Sequence, residues 1–321
     1  MSRILLLGAG FTRNWGGWLA SELVGELCGR VEDDVDLLQR LKETRNFEQV
    51  LGEIRQEANQ GPKQQVRFER LQGAVLATFD EMNQILANKQ FEIGFAGKGP
   101  DRWVVTFLAE FDAIFTLNQD LFLEMHYVPG KSAEELRKWQ SSTYPGIALP
   151  ATWMDGAPPH RLKYLLSEAG TLEHDRKEQP IYKLHGSVNW RDRAGSQIMV
   201  IGGGKDAMIG RSSLLSNYLR IFREYLSAGD TKLMVVGYGF SDDHVNNVLE
   251  EASDRNGLKT YLVNPAGLAI FDPPPNALIT SPSRVFKALK LSGILTRPFL
   301  DAFRSDDLAF NSFQRFLHGT R

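Results

Sequence analysis

Ile4-Leu5-Leu6-Leu7-Gly8-Ala9-Gly10-Phe11-Thr12 is an apolar run that breaks into glycines, with a helical pattern directly after it. A short apolar run that ends in Gly-x-Gly before a helix reads as a strand, a tight phosphate-binding turn and a helix start. Its glycines allow the backbone to fold sharply and approach a pyrophosphate, whose charge amide N–H groups at the helix start would meet. The hydride-transfer fingerprint expects a third small residue where this chain has Arg13, which argues against a dehydrogenase. The acidic residue expected for an adenosine ribose about 20 residues further on is also missing from any convincing strand, since residues 32–36 do not read as one.

Working outward, further strands are expected at residues 113–116, 181–184, 198–201, 232–236 and 260–263, with helices between them. The first helix is expected over residues 15–27, where Trp18, Leu19, Leu23 and Leu27 recur at helical spacing and Gly29 supplies a stop. Strands alternating with helices give an α/β chain with a Rossmann-like, doubly wound parallel sheet whose ligand sits at the carboxyl ends of the strands. Charged, helix-period text from residue 33 to 87, broken by Gly61-Pro62, reads as a helical insertion over residues 30–102. Breakers including Pro129-Gly130, Pro145-Gly146, Pro150 and Pro158-Pro159 mark residues 128–180 as an insertion of loops and short helices. The core is then residues 1–29, 103–127 and 181–264 of a catalytic domain spanning 1–264. A mixed tail, residues 265–321, carries Pro273-Pro274-Pro275 and a helix over 299–316, and packs on the core or on a partner.

Composition supports an ordinary globular protein of one or two domains: 321 residues, 42% hydrophobic and 24% charged. With 37 basic against 39 acidic residues there is no global field to attract nucleic acid or anionic membrane, although a local basic patch stays open. One cysteine, Cys28, excludes an internal disulfide and a cysteine-based zinc site. The apolar opening is too short for a secretory signal, and no stretch approaches the roughly 20 apolar residues of a membrane span. The expected location is the cytoplasm.

Several polar residues stand where strands end. Asn118 and Asp120, in Thr116-Leu117-Asn118-Gln119-Asp120, read either as caps of a strand end or as site residues. His185, after Ile-Tyr-Lys-Leu and before Gly186, is either a structural hydrogen bonder or a base exposed at a sheet end, suited to work near neutral pH. Gly237-Tyr238-Gly239-Phe240-Ser241 follows a strand, with Ser241 a natural N-cap before Asp242-Asp243-His244. Gly202-Gly203-Gly204-Lys205-Asp206 lacks P-loop spacing and reads as a strand-end turn with a basic residue. His126, His160 and His174 share no metal-ligand spacing, and His244 reads as part of a helix start. No metal site is expected.

Taken in order, the glycine turn, Thr-x-Asn-x-Asp, His185-Gly186, Gly-x-Gly-x-Ser and Val263-Asn264 resemble the NAD-binding core of the sirtuin superfamily. The likeness is greatest to its bacterial sirtuin-like branch, through Gly8-Ala9-Gly10-Phe11-Thr12 and the segment from Gly237 to His244. The resemblance implies that Asn118 positions ribose and water, Asp120 holds nicotinamide, and His185 acts as base at the nicotinamide ribose. It assigns Gly8, Ala9, Gly10, Phe11, Thr12, Arg13 and Thr116 to NAD binding, and Gly237, Tyr238, Ser241 and Asn264 to its adenosine half. Deacylases of the superfamily usually carry a four-cysteine zinc ribbon, which this chain cannot build. The activity implied is therefore NAD glycohydrolysis to nicotinamide and ADP-ribose, as in bacterial antiphage effectors that deplete NAD. A zinc-free deacylase, an NAD- or ADP-ribose-binding regulatory module and a nucleic-acid-cleaving effector are the rivals. The same resemblance implies a homo-oligomer and, as partner, a HerA-type hexameric ATPase.

Overall fold

The opening apolar run forms a strand buried from Ile4 onward, as a strand covered on both faces must be. The protein is described by a computed structural model over residues 1–89, 102–128, 136–148, 164–166, 172–272 and 281–319. Its described strands are β1 (Ser2–Leu7), β2 (Ala113–Thr116), β3 (Ser141–Thr143), β4 (Ile147–Ala148), β5 (Tyr164–Leu166), β6 (Glu178–Lys183), β7 (Gly186–Arg191), β8 (Gln197–Met199), β9 (Thr231–Val236), β10 (Lys259–Val263) and β11 (Lys290–Leu295).

Seven of them form one sheet in the order β11-β10-β9-β1-β2-β6-β3. Every pairing in it is parallel. From β1 the chain builds outward through β2 and β6, then returns to build the other half from β9. Strand order thus reverses between β1 and β9, and a crevice opens beyond their carboxyl ends. This is the expected Rossmann-like α/β sheet.

The fold departs from the sequence reading at four points. The expected strand around Ile198 exists as β8, but it pairs antiparallel with β7 in a separate sheet, β4-β5-β7-β8. Only Ile198 of its three residues is buried, whereas all six residues of β9 are, so β8 has one apolar face and cannot lie inside a two-sided sheet. The first helix does not run over 15–27. A short helix, Ala9–Arg13, ends where Asn14 Nδ2 donates to the Gly10 and Phe11 carbonyls, and a second, Ala20–Arg30, follows a turn at Gly16 with φ 95°. Trp15 is held out of the helical pattern by ring contacts, 5.1 Å from Phe11 and 4.7 Å from Phe122 between centroids. Between residues 128 and 180 the described residues include strands β3, β4 and β5, and β3 pairs with β6 at the edge of the main sheet. Pro129-Gly130, Pro150, Pro158-Pro159, His160 and Pro273-Pro274-Pro275 lie outside the described residues. The tail, finally, adds β11 to the sheet beside β10.

The helical insertion is built from Val35–Thr44, Phe47–Glu57 and Pro62–Ala87. Asp34 and Asn46 cap the first two by accepting from Leu37 N and Gln49 N, and Pro62 fills the first position of the third. Their inner faces bury Leu37, Leu41, Val50, Ile54, Leu71 and Val75, and Arg67 ties the long helix to Asp34 and Asp36. The bundle rises beside the carboxyl ends of β1 and β9.

Candidate active site

A cleft of about 620 Å³ lies at that point, a size suited to a small-molecule ligand. It is lined by Gly8, Ala9, Gly10, Arg13, Asn118, Asp120, His185, Gly237, Tyr238, Ser241 and Asn264. These are most of the residues read from the sequence as site residues. They come together because each follows the carboxyl end of β1, β2, β6, β9 or β10.

Phe11, Thr12 and Thr116, assigned to the same site, do not line the cleft and instead support it. Phe11 packs among Trp15, Phe122 and Phe299. Thr116 Oγ1 accepts from the Asn118 amide, and Thr12 Oγ1 accepts from Asn118 Nδ2 at 2.9 Å while its hydroxyl donates to the Asp120 carboxylate. Thr12 therefore bridges two residues that face the cleft. Burial raises the Asp120 pKa, with Lys183 opposing that shift. Beneath this loop Lys183 Nζ donates to the Asp120 carbonyl, to Glu124 Oε1 and to Ser187 Oγ, at 2.6, 2.6 and 2.9 Å. All three ammonium protons are used, in a buried site.

The glycine turn makes closer contacts than its sequence suggests. The Gly8 amide donates to Val236 O and the Gly10 amide to Gly237 O, at 3.0 and 2.9 Å. Two turn amides are thus committed to the β9 turn, which leaves the Ala9 amide, first of its helix, without an intrahelical acceptor for an anionic ligand. A Cβ on Gly8 would lie 2.6 Å from Gly237 O, and one on Gly10 would lie 2.7 Å from Gly237 Cα. Gly237 itself has φ 67°. The three glycines lock two strand-end turns together. Arg13 carries a guanidinium at the mouth of the cleft, paired with Glu22 at 2.7 Å.

Beyond Gly237 the chain stitches itself. Tyr238 Oη donates to Asn246 Oδ1 and accepts from the Asp242 amide, while Asn246 Nδ2 donates to Phe240 O. Asp242, not Ser241, is the N-cap residue of the helix Asp243–Asn256, and its side chain makes no capping bond because it accepts from Lys205. Asn264 is held by its neighbours, donating to Tyr238 O and accepting from Ala266 N.

Sequence reasoning missed the charged end of the cleft. Lys205 Nζ lies 2.7 Å from both Glu48 Oε2 and Asp242 Oδ1. Burial works against its ammonium, yet the two carboxylates outweigh burial and raise its pKa, while burial raises that of Glu48. For Asp242 burial acts upward, but the His185 ring and Lys205 outweigh it and the carboxyl sits below its usual range. His185 Nε2 lies 2.9 Å from His244 Nε2. Burial pushes the His185 pKa down to about 3, with Asp242 opposing and Lys205 adding to the shift. The backbone of Leu117 also works against that downward shift. His185, Asp242 and His244 bring one ligand atom each within 4.8 Å of one another, which is compact enough for a cation, though Lys205 already balances Asp242. The sequence signal for His244 was its place four residues after the Gly-Tyr-Gly-Phe run, and only the fold carries it to His185.

The family model of the SIR2-like domain matches residues 112–287, more than half of the chain. The chain belongs to that family. The match takes in Asn118, Asp120, His185 and the segment from Gly237 to Asn264, which are the residues the fold gathers. No curated protein matches this SIR2-like chain. The SIR2-like family uses NAD, and the glycine-locked turns, the Ala9 amide and Arg13 at the switch point fit a dinucleotide pyrophosphate. No described helix is long and apolar enough to cross a membrane.

Proposed function

We propose that this SIR2-like protein is an NAD glycohydrolase that releases nicotinamide and ADP-ribose and serves bacteria as an NAD-depleting antiphage effector. The observation that carries the reading is the convergence of Asn118, Asp120 and His185 on one cleft at the switch point, beside the glycine turn. The single cysteine leaves no zinc ribbon to shape a peptide channel, so water is the simplest acceptor.

In this reading the pyrophosphate lies against the Ala9 amide and Arg13, Asp120 orients the nicotinamide, and Asn118 aligns ribose and water. The electron pair of the glycosidic bond returns to the nicotinamide nitrogen, water oxygen bonds C1′, and His185 takes up a proton. Rate comes from favouring the loosened, cationic bond over bound NAD. His185→Ala and Asn118→Ala are expected to lower nicotinamide release at least about 100-fold while the protein stays folded. Chromatography of nicotinamide and ADP-ribose, without any peptide, tests this; wild-type rates in both variants would sink the assignment.

One observation favours a second reading. Trp18, Leu19, Phe47, Phe79 and Met82 give the cleft an apolar wall that would suit an acyl chain, as in a zinc-free deacylase. Nicotinamide release that appears only with an acyl-lysine peptide would select it. Assembly as a homo-oligomer, with a HerA-type hexameric ATPase as partner, extends the effector reading and is tested by co-expression and size-exclusion chromatography.

A further inference from the structure

We propose that Asp301, in the C-terminal tail, accepts hydrogen bonds from the adenosine ribose hydroxyls of NAD and so selects NAD over its 2′-phosphorylated form, NADP. The inference rests on the reading of the cleft as an NAD site given above.

A side compartment of about 360 Å³ adjoins the cleft at the glycine turn. Gly10, Arg13, Gly237 and Pro265 line both spaces, whereas Asn118, Asp120 and His185 line the cleft alone and Asp301 and Arg304 the compartment alone. A dinucleotide is two nucleosides joined at the pyrophosphate, so one held at the shared turn with its nicotinamide toward Asp120 places its adenosine at the compartment. Val263, Pro298 and Leu300 give that space an apolar wall suited to a base. The ribose then needs an acceptor. The usual acidic residue about 20 residues after the glycine turn is not free here, because Asp33 pairs with Arg70, and Asp34 and Asp36 pair with Arg67. None of residues 32–36 lines either space. Asn264 spends Nδ2 on Tyr238 O and Oδ1 on the Ala266 amide.

Asp301 fills that need. It is half-buried, and among the described residues its carboxylate makes no hydrogen bond and no ion pair. A carboxylate only accepts, and its two oxygens can take one hydroxyl hydrogen each from a ribose diol in charge-assisted bonds. Its place relative to the pyrophosphate cradle is fixed through the preceding residues. The Leu300 amide donates to Asn14 Oδ1 at 3.2 Å, and Asn14 Nδ2 donates to the Gly10 and Phe11 carbonyls at 2.8 and 2.9 Å. Phe299 packs 5.5 Å from Phe11 between ring centroids. One asparagine thus ties the tail to the glycine turn. NADP carries a phosphate where NAD has the 2′-hydroxyl, so a donor is replaced by acceptor oxygens with about two negative charges. Beside Asp301 that exchange loses a hydrogen bond and adds repulsion. Arg304, three residues on, is exposed and lines the same compartment, so removal of the carboxylate leaves a guanidinium to receive the phosphate.

The test uses the full chain and follows nicotinamide release from NAD and from NADP in the wild type, Asp301→Asn and Asp301→Ala, with melting curves to establish that the variants fold. Wild-type kcat/KM should favour NAD by about tenfold or more. Asp301→Ala should raise KM for NAD about tenfold with kcat within about twofold, and both variants should shrink the preference for NAD over NADP by a similar factor. Calorimetric titration reads the contact without turnover, in His185→Ala protein with and without the Asp301 change, using NAD, NADP, ADP-ribose and nicotinamide mononucleotide. Loss of the carboxylate should weaken NAD and ADP-ribose about tenfold and leave nicotinamide mononucleotide, which has no adenosine ribose, within about twofold. Equal weakening of all these ligands would mean a displaced turn rather than a lost contact, and it overturns the inference. A preference for NAD over NADP that the Asp301 variants keep overturns it too. NAD that binds with the expected dependence on Asp301 but is not cleaved by the wild type sinks the hydrolase reading and leaves this inference standing, so the two failures are distinct.

Discussion

His185 is buried to 2% exposure and has a depressed pKa, so its titration is coupled to folding. The unfolded chain takes up a proton at this position near 6.5, while the folded protein does not until about 3. Stability from this residue is thus complete above pH 6.5 and is lost as pH falls from there toward 3. Denaturant unfolding across that range should show the decline, and His185→Phe should flatten it; an unchanged slope would contradict the burial of a neutral ring. Thr12 offers a second measurement at this scale. Its hydroxyl joins Asn118 to Asp120, and Thr12→Val leaves both without that partner at similar volume. The expected cost is about 1–3 kcal/mol in stability and roughly tenfold in nicotinamide release. A melting curve and a rate at saturating NAD check the two effects separately.

At the scale of elements, the site depends on two strand-end turns that touch backbone to backbone. Gly237 has a left-handed backbone, and a Cβ there would collide with Gly10 and Phe11. Gly237→Ala should therefore cost more than about 2 kcal/mol, part of it backbone strain and part the parting of the β1 and β9 turns. Thermal denaturation with and without NAD is the measurement, and the ligand should rescue little because its own cradle is displaced. Phe240 has φ 55°, uncommon for a bulky residue, and is held there by Tyr238, Phe271 and the Asn246 amide. The helical insertion supplies Phe47, Glu48, Phe79 and Met82 to the cleft, so two of its helices share in the apolar wall and the first of the two, through Glu48, anchors the Lys205 network.

Across the whole molecule, the tail closes the fold. The strand β11 extends the sheet past β10, and the helix Asp307–His318 returns to the core, where Lys232 Nζ meets its last carbonyls. Phe313 lies 5.4 Å from Phe107, 5.6 Å from Tyr261 and 6.0 Å from Phe299 between ring centroids, joining the tail to the strands that carry the cleft. Phe313→Ala is expected to cost about 3–5 kcal/mol in a denaturant titration, with KM for NAD unchanged because neither Phe313 nor the rings it packs on line the cleft. A changed KM at intact stability would mean that this helix acts on the site directly.

The parallel sheet, the helical insertion and most of the cleft residues are written locally in the chain. Apolar runs that end in Gly8, Asn118, His185, Gly237 and Asn264 mark strand ends, and a doubly wound sheet brings such ends to one crevice whatever lies between them. Period and punctuation are properties of neighbouring residues, and a sequence displays them directly. The helix break at Trp15, the antiparallel pairing of β8 and the seventh strand β11 were not legible in this way, since each is decided by which rings or strands the segment packs against. The same holds for the site's electrostatics. Glu48, Lys205 and the pair Asp242 and His244 come from three separate elements, and nothing near one of these announces the others. Their burial, their shared protons and the contact between His185 and His244 exist only once the sheet and its insertion have closed around them, because charge coupling depends on distance and solvent rather than on order along the chain.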